Sequence, residues 1–411
     1  MQYYNSALIF ILTSILIDVI GLGIIIPVMP ALIQELTGEG LSQASVYAGW
    51  MMFCYASAEF LFAPVMGALS DQFGRKKILV ASLFGFALDY CFLAFAPSIL
   101  LFFIGRIIAG ILGASYTTGT AYIADISTSE NKARNFGYIG VAFGVGFIIG
   151  PLMGGLLGSF GSRVPFYTAA AVSLINCLFG IFFVPESLPK SKRRKFDIRR
   201  ANPIGTVLQL KKHPELISLM IAFFLYYLSG NAVHSTWTFF SIERLDWSET
   251  QIGISLGIIG LLVVIVNGFL ITPVIKVFGI NRAIIYSSIL MGLGNLLFAF
   301  STTTWMMYVF MLPYILGGIC EPAIQSLVSN RVPDNEQGEI QGAMTALISL
   351  SSIIGPPVMT SLFSYFTSEK SGIYFPGAAF VLGALMTLVS TLMLIPALKK
   401  IKSKDKAVQP L

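Results

Sequence analysis

The chain has 411 residues, of which 55% are hydrophobic and 11% charged, with a mean hydropathy of +0.80 and a formal net charge of +6. Soluble domains carry about 25% charged residues, so this composition excludes the soluble class and predicts that most of the chain sits in lipid. The positive balance is no nucleic-acid footprint, because the basic residues fall in short loops between apolar runs, where an anionic leaflet attracts them.

A helix needs about 20 apolar residues to cross a bilayer. Backbone groups in lipid must be satisfied internally, which makes helices the expected spanning element. Twelve such runs are predicted, at 6–30, 45–69, 78–96, 98–121, 135–158, 164–184, 214–236, 250–274, 283–301, 304–328, 338–363 and 374–398. The first run is long, holds Asp18 and has no basic stretch before it, so it reads as a retained span rather than a signal peptide.

Each charge at mid-membrane costs about 2.5–3.5 kcal/mol on insertion scales, which makes every such residue a functional hypothesis. Span one carries Asp18, followed by Gly21, Gly23, Pro27 and Pro30. A desolvated carboxyl can take up and release a proton near neutrality, the chemistry a proton-coupled carrier needs; the alternative is a structural carboxylate held by Arg106 or by backbone. Glu59 lies in span two. The turn after it reads Gly67-Ala68-Leu69-Ser70-Asp71-Gln72-Phe73-Gly74-Arg75-Lys76-Lys77, where Gly74 permits a tight bend and Asp71 can pair with Arg75.

Span three adds Asp89 beside Tyr90, and span four adds Arg106, whose permanent charge would help a neighbouring carboxyl lose its proton. Span five carries Gly137, Gly140, Gly144, Gly146, Gly150, Pro151, Gly154, Gly155 and Gly158. Small residues at intervals of four let helices approach and slide, and Pro151 is expected to break or bend the helix; static packing would use the same glycines.

The stretch 185–213 is the longest and most basic loop and divides six spans from six. It predicts an N-terminal bundle over 1–184, a solvated basic linker over 185–213 and a C-terminal bundle with a short basic tail over 214–411. In the second half, Glu321 in span ten is the intramembrane acid, with His234 near one end of span seven. Glu59 and Glu321 come from different halves and could face one cavity, where two carboxyls would favour a cationic or zwitterionic compound or add proton sites; the alternatives are a hydrogen-bonded protonated Glu or a helix contact. Asn231, Asn267, Gln325, Gln341, Tyr226, Tyr227 and Trp237 are candidate lining residues, or ordinary helix contacts. Gly355-Pro356-Pro357 in span eleven echoes the glycine-proline pattern of span five.

With the N-terminus inside, 22 of the 26 Lys and Arg residues fall on the cytoplasmic side and three outside, with Arg106 inside a span. That asymmetry predicts an even number of spans with both termini cytoplasmic. The four cysteines, Cys54, Cys91, Cys177 and Cys320, stand singly in apolar runs with no metal-binding spacing, so no metal or other cofactor is expected.

The turn Gly67–Lys77 resembles the signature loop between spans two and three of the major facilitator superfamily. Together with Asp18 to Pro30, Leu88-Asp89-Tyr90, Arg106 to Gly113, Ile123-Ala124-Asp125 and Gly144 to Gly155, it is similar to the twelve-span drug:proton antiporters, above all the bacterial tetracycline efflux proteins. Gly317-Gly318, Gln337-Gly338 and Gln341-Gly342 continue the likeness.

The resemblance implies an all-α fold of two six-helix bundles. It makes Gly144, Gly150, Pro151, Gly154 and Gly155 the antiporter motif of an exporter. It implies that Asp71, Arg75 and Asp125 form a cytoplasmic charge network that docks near Gly338, where a helix N-terminus would attract Asp71. Asp18 and Arg106 would belong to the proton pathway, and Glu59 would occupy a position where the tetracycline pumps carry a polar, substrate-facing residue; the residues themselves add Asp89 to the proton-coupling candidates and Glu321, Asn231, Asn267 and Gln325 to the cavity candidates. The chain departs from the tetracycline pumps where they carry a histidine in span eight and an acid in span nine: Val263 and Met291 align there, and Glu321 is acidic in span ten instead. Such a relocated acid suits another amphipathic or cationic compound.

The expected function is a monomeric, multi-pass antiporter of the bacterial inner membrane, exchanging a small molecule for protons. A metabolite or siderophore carrier of the same fold, or a non-transporting sensor or scaffold, are the alternatives. An enzyme is not expected, since no nucleophile–base set, metal cluster or phosphate loop occurs.

Overall fold

A computed structural model of the chain describes residues 2–113, 115–128, 131–194, 214–333 and 336–408. Among these, twelve helices or helix pairs are long and apolar enough to cross a membrane. Residues 195–213, most of the basic linker, lie outside the described residues.

Most spans are longer than their apolar cores. Span two runs over Leu41–Phe73, span three over Arg75–Phe95, span five over Lys132–Gly158 and span six over Val164–Phe183. Spans seven, nine, eleven and twelve are Pro214–Leu245, Ile280–Ala299, Gln337–Thr367 and Ala378–Val408. Polar residues extend these helices beyond the hydrophobic run, because a helix end costs nothing extra once its carbonyls reach water.

Span one is shorter than the hydropathy predicts. Its helix Gln2–Ile24 gives way to turns, and a separate helix, Met29–Thr37, begins with Pro30 in its first turn. Pro27 lacks the N–H that a continuing helix needs. Of the expected break or bend at Pro151 there is no break: span five is helical without interruption from Lys132 to Gly158. The ring of Pro151 lies against Gly23 of span one, where a Cβ would meet its Cδ at 2.8 Å. Close neighbours of this kind let a proline persist inside a membrane helix.

Three other spans are interrupted. Span four consists of Ile99–Leu112 and Ser115–Ile126, and span ten of Thr304–Gly317 and Cys320–Ser329. Span eight is α-helical over Glu249–Ile265 and Ile271–Phe278, with a π-helical turn at Val266–Leu270 between them.

The chain forms two compact units. One comprises Met1–Gly40, Cys54–Asn202 and Trp247–Leu261; the other comprises Leu41–Phe53, Pro203–Asp246 and Leu262–Leu411. Within the first, span one packs on spans five and six, and span three on spans four and six. Within the second, span seven packs on spans eleven and twelve, and span nine on spans ten and twelve. The two units thus use the same pairing scheme, offset by six spans.

The packing contacts differ in kind. In the first unit a core of Phe10, Ile11, Leu83, Tyr122 and Ile123 is fully or almost fully buried. In the second, buried hydroxyls and amides join the helices: Ser229 and Thr387 share a 2.5 Å hydrogen bond, and Asn295 donates to Ser229 at 3.2 Å. Polar pairs of this kind hold helices together where lipid supplies no hydrophobic force.

Candidate functional site

In the first unit, spans three and four bring Asp89 and Arg106 together. Arg106 Nη2 lies 3.4 Å from Asp89 Oδ2, with the Asp89 side chain 0% and the Arg106 side chain 8% exposed. A Cβ at Gly105 would meet Asp89 Oδ1 at 3.1 Å, so the absence of a side chain there lets the carboxylate approach the helix. Tyr90 is buried and lies within electrostatic range of Arg106, Asp89 and Asp18; Tyr55 of span two is within range of Glu59, Arg106 and Asp18. Gly21, one turn beyond Asp18, accommodates the Tyr90 hydroxyl, which a Cβ there would meet at 2.9 Å. The sequence-predicted residues Asp18, Glu59, Asp89 and Arg106 therefore share one neighbourhood around two tyrosines. Asp18 and Glu59 are half-buried, while the ion pair is sealed.

The interruption of span four adjoins this neighbourhood. A Cβ at Gly113 would come within 3.0 Å of the Tyr55 hydroxyl. The span-five glycines pack against span one. Gly150 faces Ile20 and Gly23, Gly154 faces Ile24, and Gly155 meets Thr250 and Gly253 of span eight, whose Thr250 Oγ1 donates to the Gly155 carbonyl at 3.1 Å. Gly144 is half-buried in the same helix.

At the basic-loop end of this unit, Arg75 gathers the turn. Its guanidinium lies 2.6 Å from Asp71 and 3.1 Å from Asp125, and donates to Ser70 Oγ at 2.5 Å. Gly74 has φ +104°, a conformation that strains any residue with a Cβ. It offers no side chain to cap span three. Glu186 supplies one instead, accepting from the Arg75 backbone N–H at 2.9 Å and from Leu188 N–H at 3.1 Å, while its other oxygen lies 3.4 Å from Arg193. Ser187 donates to Asp125 at 3.1 Å, the Tyr122 hydroxyl to Pro185 O at 2.7 Å, and the Arg194 N–H to Asp71 O at 3.2 Å. The first residues of the basic stretch are thus fastened over the turn.

In the second unit, Glu321 opens the second segment of span ten. Gln325 Nε2 donates to Glu321 Oε1 at 3.2 Å, and Tyr227 of span seven lies beside the same carboxyl. The preceding interruption is satisfied by Tyr226, which donates to Gly317 O at 2.9 Å. Asn231 donates to Tyr227 O at 3.0 Å and to Ser351 O at 3.2 Å, against Gly355; it is a packing amide on the same helix face. Gln341 is half-buried, and Gly338 is exposed in the first turn of span eleven. Asn267 is exposed within the π-turn of span eight.

Where the resemblance implies an ionisable pair, Val263 is partly exposed and Met291 is buried. A Cβ at Gly317 would meet Met291 Cα at 2.7 Å, so Met291 sits where spans nine and ten touch backbone to backbone. An acidic side chain there would be buried at that contact.

The chain matches the Major Facilitator Superfamily over residues 11–356 and again over 242–410. This chain belongs to the major facilitator superfamily. Among curated members, it is 39% identical to the class C tetracycline resistance protein of Escherichia coli, over 96% of this chain and 97% of that one. It is 27% identical to multidrug resistance protein 2 of Bacillus subtilis (strain 168), covering 94% and 95% of the two chains. The nucleoside transporter NupG has the same fold, with a TM-score of 0.74 at 16% identity, covering 97% of this chain and 100% of that structure. As a major facilitator it is a multi-pass membrane protein.

Reading the sequence alone overlooked Glu186 and Tyr55. Glu186 sits in the run Pro185-Glu186-Ser187, at the exit from span six and outside every apolar stretch, so its partner 111 residues earlier left no local trace. Tyr55 stands four residues before Glu59, one helical turn away, and that spacing was the available signal.

Proposed function

We propose that this major facilitator exports a small amphipathic or cationic drug-like compound in exchange for protons. The observation that carries the reading is the shared neighbourhood of Asp18, Glu59, Asp89 and Arg106 around Tyr55 and Tyr90. Four ionisable side chains in one membrane unit are costly, and proton exchange is the work that justifies them. The names of the tetracycline and multidrug resistance relatives support a drug as the cargo.

In this reading the protein resides in the bacterial inner membrane as a monomer, with both termini in the cytoplasm and its two six-helix halves, 1–184 and 214–411, joined by the basic linker. It acts as a carrier rather than an enzyme. Asp18 takes a proton from outside and releases it inside, and Arg106, paired with Asp89, holds the local field that favours release. Glu59, Glu321 and Gln325 belong to the substrate path. Asp71, Arg75 and Asp125 act as a cytoplasmic gate that docks near Gly338 in one state, and the glycines of span five permit the helix movement between states.

The test is drug susceptibility of an efflux-deficient host expressing the chain, across neutral and cationic compounds, with and without a protonophore. Raised resistance that the protonophore removes is the expected result. Unchanged susceptibility across the panel, with the protein present in the membrane, contradicts the reading.

A further inference from the structure

Among the described residues, four buried side-chain atoms of spans three and four have no hydrogen-bond partner within the protein: Asp89 Oδ1, Arg106 Nε, Ser82 Oγ and Thr118 Oγ1. Ser82 and Thr118 are fully buried, and the Asp89–Arg106 pair is sealed. A serine or threonine inside a helix can turn its hydroxyl back onto a carbonyl three or four residues earlier, as Thr120 does onto Thr117 O at 2.8 Å. Neither Ser82 nor Thr118 does so. A buried polar atom left open in this way is costly unless something reaches it.

These atoms lie along one seam. Arg106 stands level with Asp89, and a Cβ at Gly85 would meet the Leu112 side chain at 2.7 Å, so the two spans run antiparallel in a fixed register. Continued toward the Arg75 end, that register brings Ser82 and Thr118 to neighbouring depths, with Ser82 two helical turns from Asp89 on the same face. Span four is interrupted between Arg106 and Thr118, where Ile99–Leu112 ends and Ser115–Ile126 begins. Irregular backbone at membrane depth is tolerated where protein covers it or where it lines water. Beyond Ser82 and Thr118, the buried core residues Leu79, Tyr122 and Ile123 close the seam toward the basic-loop end.

We infer that ordered water molecules sit inside the first unit between spans three and four, held by Ser82, Thr118 and the open atoms of the Asp89–Arg106 pair. Water suits this set, because it donates to Asp89 Oδ1, accepts from Arg106 Nε and does either at the two hydroxyls. A cation would be repelled by Arg106 and an anion by Asp89, which leaves a neutral ligand that both donates and accepts. Ser82 and Thr118 are positioning residues: they hold the water that meets the ion pair. Its part in the transport cycle rests on the exporter reading; the hydration does not. In that cycle a proton leaving Asp89 Oδ1 enters the first water as another leaves the last, so each water ends neutral and Asp89 ends ionised.

The test is hydroxyl-radical footprinting by X-ray radiolysis of the full-length protein in lipid nanodiscs, read residue by residue by mass spectrometry. Radicals formed from internal water oxidise the side chains beside it. Phe86 is the reporter, since it is buried and stands one helical turn from both Ser82 and Asp89. Phe10 and Phe166, buried in the same unit against Phe179 and Phe102, are the dry controls. Phe86 should be oxidised about threefold faster than either control or more, and Thr118→Val, which keeps the shape and removes the hydroxyl, should remove most of that excess. Thr118→Val should also melt about 2 °C lower, whereas a dry, unpaired hydroxyl replaced by valine would leave the transition unchanged or raise it. Oxidation of Phe86 no faster than that of the controls, or a Thr118→Val protein no less stable than wild type, overturns the inference. If Thr118→Val does not fold, the wild-type comparison and Ser82→Ala carry the test. Fast oxidation of Phe86 with no export in the host removes the exporter reading and leaves the water. Gradient-driven export at the wild-type rate by Thr118→Val, with Phe86 oxidation lost, overturns the proton role and leaves the water.

Discussion

Arg106 and Asp89 lie 3.4 Å apart with both side chains shut off from solvent, and neither has another ion-pair partner among the described residues. Removing one member of a buried pair strands the other. Arg106→Met is therefore expected to destabilise the protein by about 3–5 kcal/mol, while Arg106→Met combined with Asp89→Leu recovers most of that loss. Thermal unfolding of the purified variants checks both. If the double variant folds well and still loses export, the pair has a role beyond holding the helices together.

The cap that Glu186 supplies to span three makes a second expectation. Glu186→Ala should cost about 1 kcal/mol, the usual worth of an N-cap. Gly74→Ala should cost more, because φ +104° is strained for alanine and its Cβ would meet Arg193 Nη2 at 2.7 Å. Both variants should also free the start of the basic stretch, which protease cleavage after Arg193 or Arg194 would report. Cleavage unchanged from wild type would mean that these hydrogen bonds do not hold the segment.

Much of this arrangement was legible beforehand. Hydropathy located twelve spans because lipid leaves an apolar run no other role, and the spacing from Asp71 to Arg75 across the bend at Gly74 encoded its own salt bridge. What could not be read was anything set by partners distant in the chain. Glu186 meets Arg75 across 111 residues, and Pro151 stays helical because Gly23 makes room for its ring. The interruptions of spans four and ten were hidden for another reason: both halves are apolar, and only the glycines Gly113 and Gly317-Gly318 mark them. The second-unit site was half visible. Glu321 and Gln325 are four residues apart on one helix, whereas Tyr227 reaches them from span seven.

Tyr226 closes the interruption in span ten with a single hydrogen bond to Gly317 O. Tyr226→Phe leaves that carbonyl without this donor and should lower stability by about 1 kcal/mol. Hydrogen exchange around Cys320 should rise in the same variant. A wild-type melting temperature and exchange pattern would show that the carbonyl finds another donor.

At the end opposite the basic loops, Glu35 accepts from Ser162 at 2.7 Å and lies 3.3 Å from Arg163, which also donates to Ala94 O and Ala96 O. The Ser162 hydroxyl holds the Glu35 carboxyl below its ordinary value of 4.5 against the opposing effect of burial, and Arg163 adds to the lowering. A depressed carboxylate adds stability that is full above the unfolded value and fades as pH falls through the folded one. The difference in melting temperature between wild type and Glu35→Gln should be constant near neutrality and shrink below pH 4.5. A difference that grows on acidification would show the opposite sign.

The account depends most on Asp18 as the group through which protons drive export. Everted membrane vesicles energised by a pH gradient should accumulate a cargo compound identified in the susceptibility panel, and a protonophore should abolish the accumulation. In Asp18→Asn, inserted at wild-type levels, gradient-driven accumulation should be absent. Accumulation by Asp18→Asn at the wild-type rate, still sensitive to the protonophore, would contradict the account.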